Sequence, residues 1–100
     1  MIKKINELIE YSKNGILSKD ISEGDKLNVT LFSMAAGTEI SEHTSTKQGF
    51  VYVIEGEGTF KLEGKDIVMA PGVFIYMKEN SIHSLKASKN SSFILTLVNK

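Results

Sequence analysis

The chain has 100 residues, of which twelve are basic (all lysine) and twelve are acidic, so its formal net charge is zero. No net field gathers nucleic acid or an anionic membrane, and the absence of arginine removes the residue best suited to bidentate capture of phosphate. With no cysteine, disulfides, thiol catalysis and Cys-based zinc sites are excluded, while 41% apolar and 24% charged residues suit one soluble globular domain over residues 1–100.

In chain order, Ile2, Ile5, Leu8 and Ile9 recur at helical spacing and Asn14-Gly15 reads as a stop. The spacing predicts one short helix within residues 1–15, lying on something else. The opening stretch from Met1 to Lys13 has no continuous apolar run, which predicts neither a signal peptide nor a membrane span and makes the cytoplasm the default location.

From Ile16 the period changes to two. The stretches "KLNVTLFSM", "FVYVIEGEG", "TFKLEG", "DIVMAPG", "VFIYMK", "SIHSLKA" and "SFILTLVN" are short, rich in β-branched and aromatic residues, and punctuated by turn residues. Glu63-Gly64 fits a tight hairpin, Ala70-Pro71-Gly72-Val73 fits a type II turn, and Gly56 and Gly58 flank a bend. Many short strands after one helix predict an all-β sandwich or barrel over residues 16–99.

Alternation within an extended "TEISEHTST" puts Glu39, Ser41, His43 and Ser45 on one face and Ile40 and Glu42 on the other. Lys47 falls on the histidine face, where its charge would oppose a metal ion. In "SIHSLKA", His83, Leu85 and Ala87 share a face. "GVFIYMK" is apolar on both faces, as in a strand covered on each side. Tyr52, Tyr76, Met34, Met69 and Met77 read as core rather than as substrate contacts.

The spacing of the histidines carries a resemblance. From Gly37, the intervals of the first cupin motif, G-x5-H-x-H-x3-4-E-x6-G, fall on His43, Ser45, Gly49 and Gly56. From Gly72, those of the second, G-x5-P-x-G-x2-H-x3-N, fall on Lys78, Asn80, His83 and Ala87. The chain thus resembles a small cupin, a double-stranded β-helix of the jelly-roll type, here with a short N-terminal helix. The resemblance implies a metal site at His43 and His83, but the second motif histidine is Ser45 and the glutamate is Gly49. Two imidazoles are a depleted set for one divalent transition metal ion, so weak binding is expected. Ser45 is the first candidate for a further ligand and Gln48, with a bulged backbone, the second.

Three readings of His43 and His83 stay open: hydrogen-bonded imidazoles in a barrel mouth, a metal site completed by water or Ser45, and metal-free acid–base work. The corresponding functions are a small-molecule-binding barrel with His43, Ser45 and His83 at its ligand site, or a metal-dependent isomerase, lyase or dioxygenase. A third is an interaction protein whose outer face matters most. The resemblance, with the outward placing of Phe50, Tyr52 and Ile54, implies a homodimer. A helix carrying Ile5, Leu8 and Ile9 folded over that face would instead keep the chain monomeric.

Overall fold

The computed structural model describes residues 1–99, apart from the side chain of Glu23. Among the described residues nine strands make up the fold: β1 (Ile16–Glu23), β2 (Leu27–Met34), β3 (Glu39–Thr44), β4 (Gly49–Glu55), β5 (Gly58–Leu62), β6 (Lys65–Met69), β7 (Phe74–Met77), β8 (Ile82–Ala87) and β9 (Ser91–Val98). They form two antiparallel sheets, one in the order β1-β2-β9-β4-β7 and the other β3-β8-β5-β6. The two sheets of a jelly roll are in place, and most of the sequence-predicted strands coincide with them. β1 is the exception that periodicity did not single out. Its polar residues sit on an edge strand, and its alternation is broken by a bulge between Asp20 and Ser22.

Strand alternation builds the core. Gly49, Val51 and Val53 of β4 face inward, as do His83, Leu85 and Ala87 of β8. With Met34, Phe60, Met69, Ile75, Met77 and Phe93 they form the apolar layer between the sheets. The turns have the chemistry expected of them. Glu63 (φ 49°) and Gly64 (φ 80°) are both left-handed, as a two-residue type I′ hairpin between β5 and β6 requires. Gly72 (φ 89°) closes the turn in which Val73 N–H donates to the Ala70 carbonyl at 3.0 Å. Asn80, also left-handed at φ 65°, turns the chain into β8.

The expected N-terminal helix is not there. Only a 3₁₀ turn at Ile5–Glu7 forms, and Lys4, at its N-cap, makes no side-chain cap. A segment this short and uncapped does not repay helix nucleation by itself, and tertiary contacts draw it out into a strap instead. Lys19 Nζ donates to the Leu8 carbonyl (2.9 Å) and Lys3 Nζ to that of Ile21 (3.0 Å). Tyr11 donates to Glu55 (2.7 Å) and accepts from Ser92 Oγ (2.7 Å), which pairs with Ser33 Oγ at 3.1 Å. Ser33 and Ser92 point away from the core by alternation, yet both are buried. The polar chain from Glu55 to Ser33 therefore fastens the strap to the outer face of the five-stranded sheet.

Candidate ligand site

β3 and β8 run side by side and place His43 directly opposite His83. Sequence alternation alone would not have arranged the walls correctly. A bulge lies between Ile40, which pairs with Leu85, and His43, which pairs with His83. Three steps along β3 match two along β8, so Ile40 and His43 both turn inward although an odd interval separates them. The face expected to carry Glu39 and Ser41 alongside His43 is thereby corrected: those two residues, with Glu42, line an open groove of about 420 Å³ together with Lys61, Asp66 and Lys86. That groove is charged and exposed, and Glu39 is paired with Lys86 at 3.5 Å.

The two imidazoles meet edge to face, with centroids 4.1 Å apart and planes at 62°. His43 Nδ1 lies 2.8 Å from the Ser41 carbonyl and His83 Nδ1 lies 3.1 Å from that of Ser81. A carbonyl only accepts, so these bonds hold the proton on each Nδ1 and leave each Nε2 with its lone pair. The environments differ. His83 is 8% exposed and stacks on Phe60 at 5.8 Å, whereas His43 is exposed at the rim. Burial pushes the His83 pKa below its ordinary value and the nearby His43 adds to this, against a smaller upward pull from the Ser81 carbonyl. No buried side-chain nitrogen or oxygen among the described residues lacks a partner. The free Nε2 of His83 is therefore not sealed in, and it borders a cavity.

That cavity measures about 100 Å³. Besides the two histidines it is walled by eight hydrocarbon or thioether side chains, among them Phe32, Val51, Met77 and Leu95. Its walls come from both sheets, so it is part of the barrel interior. Among the described residues no lysine or carboxylate lines it.

The other sequence-nominated residues lie elsewhere. Ser45 follows β3 in a turn, where its Oγ accepts from Lys47 N–H at 3.2 Å and stands outside the cavity wall. Gln48 accepts from the Tyr76 hydroxyl at 2.8 Å, on an exposed face. Gly49 is not part of the cavity wall either, and a Cβ placed there would run into the carbonyl oxygen of Thr96 on β9. Phe60, which positions His83, was not nominated, although the alternation of "TFKL" would have turned it inward. Ile40 could not have been found that way, since nothing in "TEISEH" announces a bulge.

Residues 30–99 match the Cupin domain family. The chain belongs to the cupins. Among solved structures, a conserved protein of unknown function from Streptococcus pyogenes superposes with a TM-score of 0.89 at 22% identity, covering 100% of this chain and 88% of that one. A cupin superfamily protein from Desulfitobacterium hafniense gives 0.88 at 21% identity, covering 94% and 86%. Salicylate 1,2-dioxygenase from Pseudoaminobacter salicylatoxidans gives 0.77 at 19%, covering 83% of this chain and 26% of the enzyme. At such identities these likenesses show the fold. No curated protein matches the chain in sequence.

Cupins often bind a metal ion, which makes the donor set here the next question. Among the described residues no three of His, Asp and Glu are grouped so that they could hold a metal ion. Two imidazoles line a cavity that is otherwise hydrocarbon or thioether, whereas protein-held divalent ions usually keep three or more protein ligands. The residues present do not fit a divalent centre built from protein donors.

Proposed function

We propose that this cupin is a small-molecule-binding barrel whose site is the cavity behind His43 and His83. One observation carries the reading: two adjacent imidazoles, each with its Nδ1 engaged by a backbone carbonyl, line an otherwise apolar cavity. Such a combination of apolar wall and a few polar groups is the usual make-up of a small-ligand site. Ser45, placed in a turn, is left outside it. A fragment screen by thermal shift tests the proposal, with hits checked against His43→Phe and His83→Phe. Hits that bind both variants as well as the parent protein would overturn it.

A second reading, a metal-dependent enzyme of isomerase, lyase or dioxygenase type, is favoured by the tautomers, since both Nε2 atoms are free to coordinate. His43 and His83 would be the only protein ligands, with water completing the shell. The occupancy we propose is weak and lost to chelators. Chelator-labile metal lost in both His43→Phe and His83→Phe would support this reading. Stoichiometric, chelator-resistant metal in untagged protein would show that a third or fourth protein ligand takes part and would overturn the two-histidine set.

We also propose a homodimer. Phe50 stacks on Phe74 across β4 and β7 at 4.9 Å, and Tyr52, Phe74 and Tyr76 beside it are 45%, 58% and 52% exposed. The strap is fastened at Ser92 and Ser33, on β9 and β2, and leaves these rings uncovered. The three half-exposed rings present about 300 Å², enough for the apolar centre of an interface of about 800 Å² per partner. A second copy presents the same patch, so two-fold pairing is self-complementary. Light scattering that gives the 11.0 kDa monomer mass at every concentration would exclude it.

A further inference from the structure

We propose that the cavity selects a small uncharged ligand with an N–H₂ head and a branched hydrocarbon body, as in a short-chain primary amide; this rests on the cavity being the binding site. The donor inventory carries the inference. Each Nδ1 gives its proton to a carbonyl, of Ser41 or Ser81, so the pair presents two acceptors and no donor. With ring centroids 4.1 Å apart, both Nε2 atoms serve one head group. A group with two protons on one nitrogen satisfies both.

The walls exclude the charged relatives of such a ligand. Among the described residues no lysine lines the cavity to meet a carboxylate, and no carboxylate lines it to meet an ammonium. An anion would also face two lone pairs, and an unpaired charge in an apolar site is strongly disfavoured. Size sets the body. A volume of about 100 Å³ equals the liquid-state share of roughly three waters, which suits a short branched alkyl group. His83 is buried and His43 exposed, so the head sits at the mouth with its amide oxygen toward water and the alkyl group inside. Phe60, stacked parallel to His83 at 5.8 Å, holds the inner imidazole in place.

Three molecules of nearly one shape separate the contributions: isobutyramide, methyl isopropyl ketone, which lacks the donors, and isobutyrate, which lacks them and is charged. Each is titrated at pH 8 into the full chain carrying ¹⁵N-labelled histidine and ¹³C-labelled methionine methyl groups. The expected result is that isobutyramide moves the Nε2 resonances of both histidines and the Met77 methyl signal. The ketone and the carboxylate should bind about ten-fold more weakly or worse. His43→Phe, at an exposed position that does not threaten folding, should erase the preference for the amide over the ketone. If the ketone or isobutyrate binds as tightly as the amide, the donor-selective inference fails while the cavity remains the binding site. If none of the three moves the Met77 methyl signal, the inference and the binding-site reading fail together.

Discussion

Restoring the glutamate of the first motif at Gly49 should break the barrel rather than rebuild a metal centre. Gly49 begins β4, a central strand that pairs with β9 through Leu97 and with β7 through Met77. An added Cβ would meet the backbone oxygen of Thr96 and come within 2.9 Å of Leu97 Cδ2. The leucine end can move, but the carbonyl belongs to the neighbouring strand and moves only with it. Forced overpacking of this kind costs about 1–3 kcal/mol, which is the loss expected for Gly49→Ala. At roughly 4–8 °C per kcal/mol for a domain of this size, that variant should melt about 5–20 °C lower. Gly49→Glu adds an inward carboxylate among apolar walls and should lose several kcal/mol more, with no gain in zinc or manganese affinity. Differential scanning calorimetry and isothermal titration with each metal measure the two effects. A Gly49→Ala protein that melts with the parent would show that β4 and β9 have room to part. A Gly49→Glu protein that folds and binds metal tightly would refute the steric account altogether.

Other outcomes follow from the same structure. Phe60→Ala should cost about 3–5 kcal/mol and remove the ring-current shift on His83, seen as a lower urea midpoint and a displaced imidazole proton signal; an unchanged His83 signal would deny the stacking. Acidification should destabilise the fold through His83. Its folded-state pKa lies below the ordinary 6.5, so the unfolded chain takes up the proton first, and stability present above pH 6.5 is lost as pH falls through the folded-state value. Urea midpoints between pH 7.5 and 5 should therefore fall less in His83→Gln, and equal slopes would count against the assignment. Tyr11, raised to about 12 mainly by burial, should make the parent lose stability between pH 10 and 12, where the unfolded chain ionises first. Tyr11→Phe should abolish that loss and cost about 1–3 kcal/mol at pH 7 by leaving buried Ser92 short of a partner; a variant as stable as the parent would show that the Tyr11 hydroxyl adds nothing to the fastening of the strap.

Much of this was readable from local chemistry. Turns follow from the backbone freedom of one or two residues, so Glu63-Gly64 and Pro71-Gly72 announced their geometry in the chain itself. The spacing of His43 from Gly37 and of His83 from Gly72 identified the barrel, because each interval measures a loop and a strand whose lengths the fold constrains. Alternation in β4 and β8 sorted inward from outward residues. The reading of β7 as covered on both faces, and of Tyr52 and Tyr76 as core, is corrected: Tyr52, Phe74 and Tyr76 are 45%, 58% and 52% exposed on the outer face. A strand apolar on both sides gives no sign of which side stays open. The N-terminal periodicity misled, because three or four apolar residues at helical spacing also suit a strap whose Leu8 carbonyl is claimed by Lys19 and whose tyrosine is claimed by Ser92.

By itself, then, the sequence settled the strand period, the turns and the two histidines, all of which depend on neighbours along the chain. Only the tertiary structure decided what stands around those histidines. The bulge in β3 is a property of how two strands register, and it turned Ile40 inward and Glu39 and Ser41 outward. The closeness of Thr96 to Gly49 is a distance between strands nearly fifty residues apart, and it leaves no room for a side chain at that position. The tautomers rest on carbonyls whose direction the strands set, and the apolar wall draws on both sheets. Long-range packing chose these things, and no local pattern encodes them.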